Sequence, residues 1–127
     1  MHLVKLALPA FTTALMAASL AATASAGNVA SGKALFSRCA ACHTADKGGP
    51  NGLGPNLYGV VGRKAASKKD FSYSAAMKKS GIVWSNRKLD AYIAHPADVV
   101  PGNRMAFAGV PDAKQRSDLI AWLDTLK

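Results

Sequence analysis

The chain has 127 residues, 16 Lys and Arg against seven acids, a formal net charge of +9 and two cysteines. That length gives one domain with a small core, and two cysteines three positions apart close too short a loop to act as a structural disulfide framework. No long alternating strand pattern and no internal repeat occurs, which argues against sandwich, barrel and solenoid architectures.

Met1 to Lys5 carry one fixed positive charge, and Leu6 to Ala26 follow with none. The run ends on Ala24-Ser25-Ala26, a small-x-small site, so residues 1–26 read as a secretory signal peptide that is cleaved to leave a domain at 27–127. The run is long enough for a membrane anchor, but its Ala, Thr and Ser content argues for a leader. A soluble periplasmic protein without stable membrane insertion is expected. Losing Lys5 leaves 15 cations against seven Asp, a mature net charge of +8. Export disfavours nucleic acid as the partner and leaves an anionic membrane or an acidic protein.

Asn28 is placed to cap a first helix that turns Val29, Leu35 and Phe36 toward the core and delivers Cys39, Cys42 and His43 at its end. Gly32 on that helix offers a place where the last helix, with Trp122, can approach closely. Cys39-Ala40-Ala41-Cys42-His43 is a C-x-x-C-H string, which reads as covalent attachment of a c-type haem. Each thiol can add to a vinyl group on one edge of a porphyrin while the adjacent imidazole reaches the iron. A zinc half-site is the weaker reading, because zinc wants four ligands and His95 is the only other histidine after Ala26. A redox dithiol would be expected beside a strand and helix alternation that is absent.

Lys47 to Gly62 is dense in Gly, Pro and Asn and reads as a long ordered loop. Ser72 is placed to cap a short helix through Lys79, with Gly81 ending it in a left-handed conformation. Ser85 is placed to cap another, with Leu89, Tyr92 and Ile93 on one face and Pro96 closing it after His95. A second irregular loop runs from Val99 to Val110. Pro111 and Asp112 begin a C-terminal helix bearing Leu119, Leu123 and Leu126 at helical spacing. The fold class is all-α. Two methionines remain for the second face of a haem iron: Met105, in a turn-rich loop with Phe107 just beyond, is the better candidate, and Met77, inside the short helix, reads as core filler.

The motifs Cys39-Ala40-Ala41-Cys42-His43, Gly54-Pro55-Asn56-Leu57, Gly62-Arg63-Lys64, Phe71-Ser72-Tyr73-Ser74, Gly81-Ile82-Val83-Trp84 and Pro101-Gly102-Asn103-Arg104-Met105 follow one order and spacing. Over 27–127 the chain resembles a bacterial class I cytochrome c of the group close to mitochondrial cytochrome c. The resemblance implies four to five helices wrapped around one covalently bound haem, with the terminal helices packed together. It implies His43 and Met105 as iron ligands and a Pro55 carbonyl that orients His43. It also implies Tyr73 and Trp84 donating to a haem propionate, Arg63 offsetting propionate charge, Tyr92 near the Met sulfur and Phe107 shielding the haem edge.

Three departures stand out. Asn103 replaces the usual Thr of the Met loop, Met77 replaces a polar Asn, and Ala97-Asp98 replace a Lys pair. The resemblance further implies a monomeric electron carrier, not an enzyme, working between acidic surfaces of membrane redox complexes: a cytochrome bc complex or a dehydrogenase as donor, and a cytochrome oxidase or photosynthetic reaction centre as acceptor, with a place in a respiratory chain. Arg38, Lys47, Arg104 and Lys114 are candidates for a positive rim at the haem edge. The rival expectation is a haem peroxidase or gas-binding protein with a labile Met105, which Asn103 and Met77 could favour.

Overall fold

The computed structural model of the chain describes residues 26–127; the expected leader, up to Ser25, lies outside the described residues. Five α-helices follow in order: α1 Val29–Leu35, α2 Ala75–Lys79, α3 Asn86–Ala94, α4 Pro96–Val99 and α5 Ala113–Asp124. Among the described residues the only β pairing is a single antiparallel bridge between Lys64 and Val83, so the all-α expectation holds. No described helix is long and apolar enough to cross a membrane.

A seven-residue helix is marginal alone in water, so α1 depends on what it packs against, and its main partner is α5. Asn28 caps α1 by accepting the Ser31 N–H at 2.9 Å. Gly32 is buried where the helices cross; a Cβ there would run into the Asp118 carbonyl and lie 2.9 Å from Trp122 Cβ. The expected close approach therefore occurs, but against backbone and Cβ. The Trp122 ring instead leans on Phe36, with centroids 4.8 Å apart. The buried Asp118 carboxylate accepts the Asn28 N–H at 2.7 Å and pairs with Lys114, tying the two helices polar group to polar group.

Two expectations for this segment need correction. Val29 is 45% exposed at the first position of α1, and of the three only Leu35 and Phe36 are half-buried. The cysteine motif also lies beyond α1: a 3-10 turn, Phe36–Arg38, intervenes, and the Cys42 and His43 N–H groups fold back on the Cys39 carbonyl at 3.0 Å.

The short α2 is capped by Ser74, not Ser72. Ser74 Oγ accepts the Met77 N–H, and the helix starts two residues later than expected. Gly81 adopts φ +65°, a left-handed position that a side chain would strain. Ser85 caps α3, whose Leu89 and Tyr92 are buried. Pro96 ends α3 as expected, but it also opens the one-turn α4, because its fixed φ suits a first helical position. Asp112 caps α5 through the Gln115 N–H at 2.8 Å, and Leu119, Ile120 and Leu123 turn into the core with Val60, Ile82, Trp84 and Val100.

Candidate cofactor site

Beyond the Phe36–Arg38 turn, the long stretch up to α2 has no helix, so its backbone groups must find partners elsewhere. Gly54 N–H donates to the Cys42 carbonyl and Leu57 N–H to the Thr44 carbonyl, both at 2.8 Å, folding the loop back onto the cysteine motif. The centre of this web is Asn56, only 4% exposed. Its amide nitrogen donates to Thr44 Oγ1 at 2.6 Å and to the Asp46 carbonyl at 2.9 Å. Its side-chain oxygen accepts the Tyr58 N–H, and its own N–H donates to Asn51 Oδ1, each at 2.8 Å. Farther along, Gly59 N–H donates to the Leu126 carbonyl at 2.8 Å and Tyr58 hydroxyl donates to the Lys127 carbonyl, so the end of the chain holds this loop.

That scaffold sets His43. Its Nδ1 lies 2.7 Å from the Pro55 carbonyl, which selects the tautomer with the proton on Nδ1 and leaves Nε2 with a free lone pair. The ring rests on Gly54, where a Cβ would stand 2.7 Å from both ring nitrogens. Burial lowers the His43 pKa, against the Pro55 hydrogen bond that raises it and with help from nearby Arg63. The neutral, donor-competent imidazole is thereby favoured. Cys39 and Cys42 are free, half-buried thiols, and burial pushes the Cys39 thiol up while the Arg38 guanidinium pulls it down.

These three groups line a cavity of about 570 Å³, within the roughly 300–1,000 Å³ of small-molecule and cofactor sites. The loop after α4 brings Asn103, Met105 and Phe107 to the same cavity, α3 brings Tyr92, and Trp84 and Arg63 come from the segments around the Lys64–Val83 bridge. Tyr73 and Pro55 complete the set, so all eleven side chains singled out in the sequence meet in one place. Leu119 and Leu123 of α5 and Leu57 and Val60 of the long loop add apolar wall. Leu53, 85% exposed, also lines the cavity.

The Met105 thioether lies 3.9 Å from the Tyr92 hydroxyl. Burial pushes the Tyr92 phenol up to about 12, so it stays a neutral hydrogen-bond donor, and its ring packs against Trp84 at a tilt of 50° with centroids 4.8 Å apart. Asn103 braces the Met loop: its Oδ1 accepts the Met105 N–H at 2.8 Å and its Nδ2 donates to the Val100 carbonyl at 2.9 Å. Arg63 donates to the Tyr58 and Asn56 carbonyls at 3.1 and 3.2 Å, and so spans cavity and loop. Met77 also lines the cavity, half-buried at the edge of the core.

Of the four cations expected to form a rim, three are engaged within the chain. Arg38 contacts Gln115 at 3.4 Å, Arg104 donates to the Ser72 carbonyl at 3.0 Å, and Lys114 pairs with Asp118. Arg38 and Arg104 line the cavity, whereas Lys47 and Lys114 do not. Asn56 and Gly54 were missed as site residues. Both lie inside the Gly54-Pro55-Asn56-Leu57 segment, so the motif carried the signal, but only the fold shows that one is a hub and the other a seat for a ring.

The Cytochrome c family model matches residues 29–127. A cytochrome c homolog from Bradyrhizobium diazoefficiens is 47% identical over 100 residues, 78% of this chain and 54% of that protein, so the chain spans about half of that relative's length. Cytochrome c2 of Rhodopila globiformis is 49% identical over 102 residues, covering 80% of this chain and 95% of that one. Cytochrome c of Theileria annulata is 50% identical over 98 residues, 76% and 84% of the respective chains. Among solved structures, cytochrome cH from Methylobacterium extorquens superposes with a TM-score of 0.73 at 43% identity, over 78% of this chain and 99% of that one.

Proposed function

Because the chain belongs to the cytochrome c family, we propose that it carries single electrons between periplasmic redox complexes through one covalently attached haem. The class is an electron carrier, not an enzyme. The observation that carries the finer reading is the convergence on one largely apolar cavity of two free thiols, an imidazole with its Nδ1 occupied, and a thioether.

That donor set fits a haem c. Cys39 and Cys42 supply the two thioether links, while His43 Nε2 and Met105 Sδ are the two soft-to-intermediate donors that suit iron in such a site. Bound there, the group supplies a one-electron ferric/ferrous couple. The protein's part is to hold its donors still. Pro55 fixes the His43 ring and raises its donor strength, Tyr92 and Asn103 hold the thioether and its loop, and the α5 leucines keep water out. Tyr73, Trp84 and Arg63 are the groups offered to the carboxylates of the cofactor, and Phe107 covers its edge.

In this reading residues 1–26 direct export and are removed. The donor is a quinol-oxidising cytochrome bc complex or a dehydrogenase, and the acceptor is a terminal oxidase or a photosynthetic reaction centre. The test is an absorption spectrum of the protein matured with haem, oxidised and reduced. A low-spin spectrum with the weak sulfur-to-iron band in the far red is expected. Covalent haem without that band at neutral pH, together with rapid carbon monoxide binding to the ferrous form, overturns His43/Met105 ligation and favours peroxidase or gas-binding chemistry.

A further inference from the structure

A second cavity, of about 330 Å³, shares no lining residue with the first. Asn86 and Asp90 of α3 and Ser117, Ile120 and Ala121 of α5 form its walls, and Gly27 completes them. Gly27 is half-buried and held from two directions. A Cβ on it would run into the Ser117 carbonyl and lie 2.9 Å from Ala121 Cβ, and the next N–H along the chain, that of Asn28, donates to Asp118 at 2.7 Å. The amino nitrogen of Gly27 is bonded to the same Cα that rests on the Ser117 carbonyl, so it too belongs to this wall.

Asp90 is the one ionisable side chain in that lining. Its Oδ1 accepts from Arg116 Nε at 2.7 Å, and the Arg116 guanidinium is anchored in turn on the Val110 and Pro111 carbonyls. Among the described residues Asp90 Oδ2 has no partner, and the side chain is 47% exposed. An ionised carboxylate has acceptor capacity beyond a single hydrogen bond, so Asp90 is fixed in place with one oxygen still to be used.

Removal of residues 1–26 converts the Gly27 amide into an ammonium, one residue before the cap of α1. A cation there opposes the partial positive charge of the helix N-terminus, and α1 has no acid in its first turn to offset it. Compensation has to come from other helices. The nearby carboxylate of α5, Asp118, is already shared between Lys114 and the Asn28 N–H, which leaves Asp90 of α3. Resting on the reading of residues 1–26 as a leader, we propose that this cavity is the binding site of the chain's own processed amino terminus, in which the Gly27 ammonium pairs with Asp90. The contact with Ser117 and Ala121 demands glycine as the first mature residue, and the charge exists only once the leader has been cut. Processing thereby adds a tie from the start of α1 to α3, beside the one that Asp118 makes to α5.

The experiment uses the haem-loaded protein exported from its full chain. Intact mass gives the first residue, and any start other than Gly27 overturns the reading of the leader and this proposal with it. With Gly27 first, its carbon chemical shifts are followed against pH in ferrous protein labelled with 13C-glycine. The terminal amine should titrate about one unit above its ordinary value of about 7.7–8.0, about a tenfold preference for the charged form. Asp90→Asn should return it to the ordinary range, whereas Asp124→Asn, which removes a carboxylate paired with Lys127, should leave it raised. A raised folded pKa gives stability that is complete below the unfolded value and is lost as pH rises through the folded one. The melting temperature of the parent should therefore fall between about pH 8 and 9 more steeply than that of Asp90→Asn. A chain that begins at Gly27 but whose amine titrates at its ordinary value overturns the docking alone, as does a raised value that Asp90→Asn leaves in place.

Discussion

Substituting Gly54→Ala tests whether the seat under His43 governs the donor. The added Cβ would run into the ring's Cε1 and stand 2.7 Å from Nδ1 and Nε2, and ordinary contact needs about 3.5 Å, so the ring must retreat by about 1 Å. Its 2.7 Å hydrogen bond to Pro55 would then stretch past the normal range for N–H donors, about 2.7–3.2 Å. Losing the partner of a ligating histidine costs roughly 10–100-fold in metal affinity or activity. An imidazole without its acceptor is also a poorer electron donor, so the ferrous state gains. The expected result is a higher midpoint potential in a redox titration and a larger fraction of protein whose ferrous form binds carbon monoxide. An unchanged potential and spectrum, with only a lower melting temperature, would refute this account of the seat.

Gly32→Ala makes the opposite contrast: helix propensity favours Ala by about 1 kcal/mol, but overpacking against the Asp118 backbone should give a net loss of about 1–3 kcal/mol. A melting temperature at or above the parent's would show that α1 and α5 can separate without loss, and the visible spectrum should not move. Asn103→Ala removes both braces of the Met loop, each worth about 1 kcal/mol; the sulfur-to-iron band should weaken and carbon monoxide binding speed up, and identical band intensity in the variant would count against a bracing role. The Lys114 side chain and the Asn28 N–H hold the Asp118 carboxyl below its usual range. A depressed folded pKa gives stability that is complete above the unfolded value, about 3.9, and is lost as pH falls through the folded one. Asp118→Asn should therefore melt below the parent at neutral pH and converge with it in acid, so a gap that stays constant with pH would contradict the linkage.

What the sequence made legible was local or chemically unambiguous. Asn28, Ser85 and Asp112 cap helices because a cap needs only a side chain and an N–H three residues away. Cys39, Cys42 and His43 stand out because few chemistries need that triplet. Ser72 and Ser74 satisfy the same local capping pattern, and the choice falls to tertiary structure: Ser74 caps α2 while the Ser72 carbonyl accepts from Arg104. The role of Asn56 depends on Thr44, Asp46, Asn51 and Tyr58 meeting at one point, which no periodicity encodes. Which of the rim cations reach the cavity is hidden for a similar reason, since charge is visible in a sequence but its partners are not: Arg38 and Arg104 line it, and Lys47 and Lys114 do not.

The α5 wall has a consequence for the order of maturation. Leu119 and Leu123 lie 77 and 81 residues downstream of Cys42, yet they line the same cavity. A chain emerging from its N-terminus presents both thiols while that side is still open, and a maturation enzyme meets them before the last helix can close over them. A circular permutant beginning at α5 would reverse this schedule: the leucines would arrive first, and the thiols would have to be reached past a wall already built.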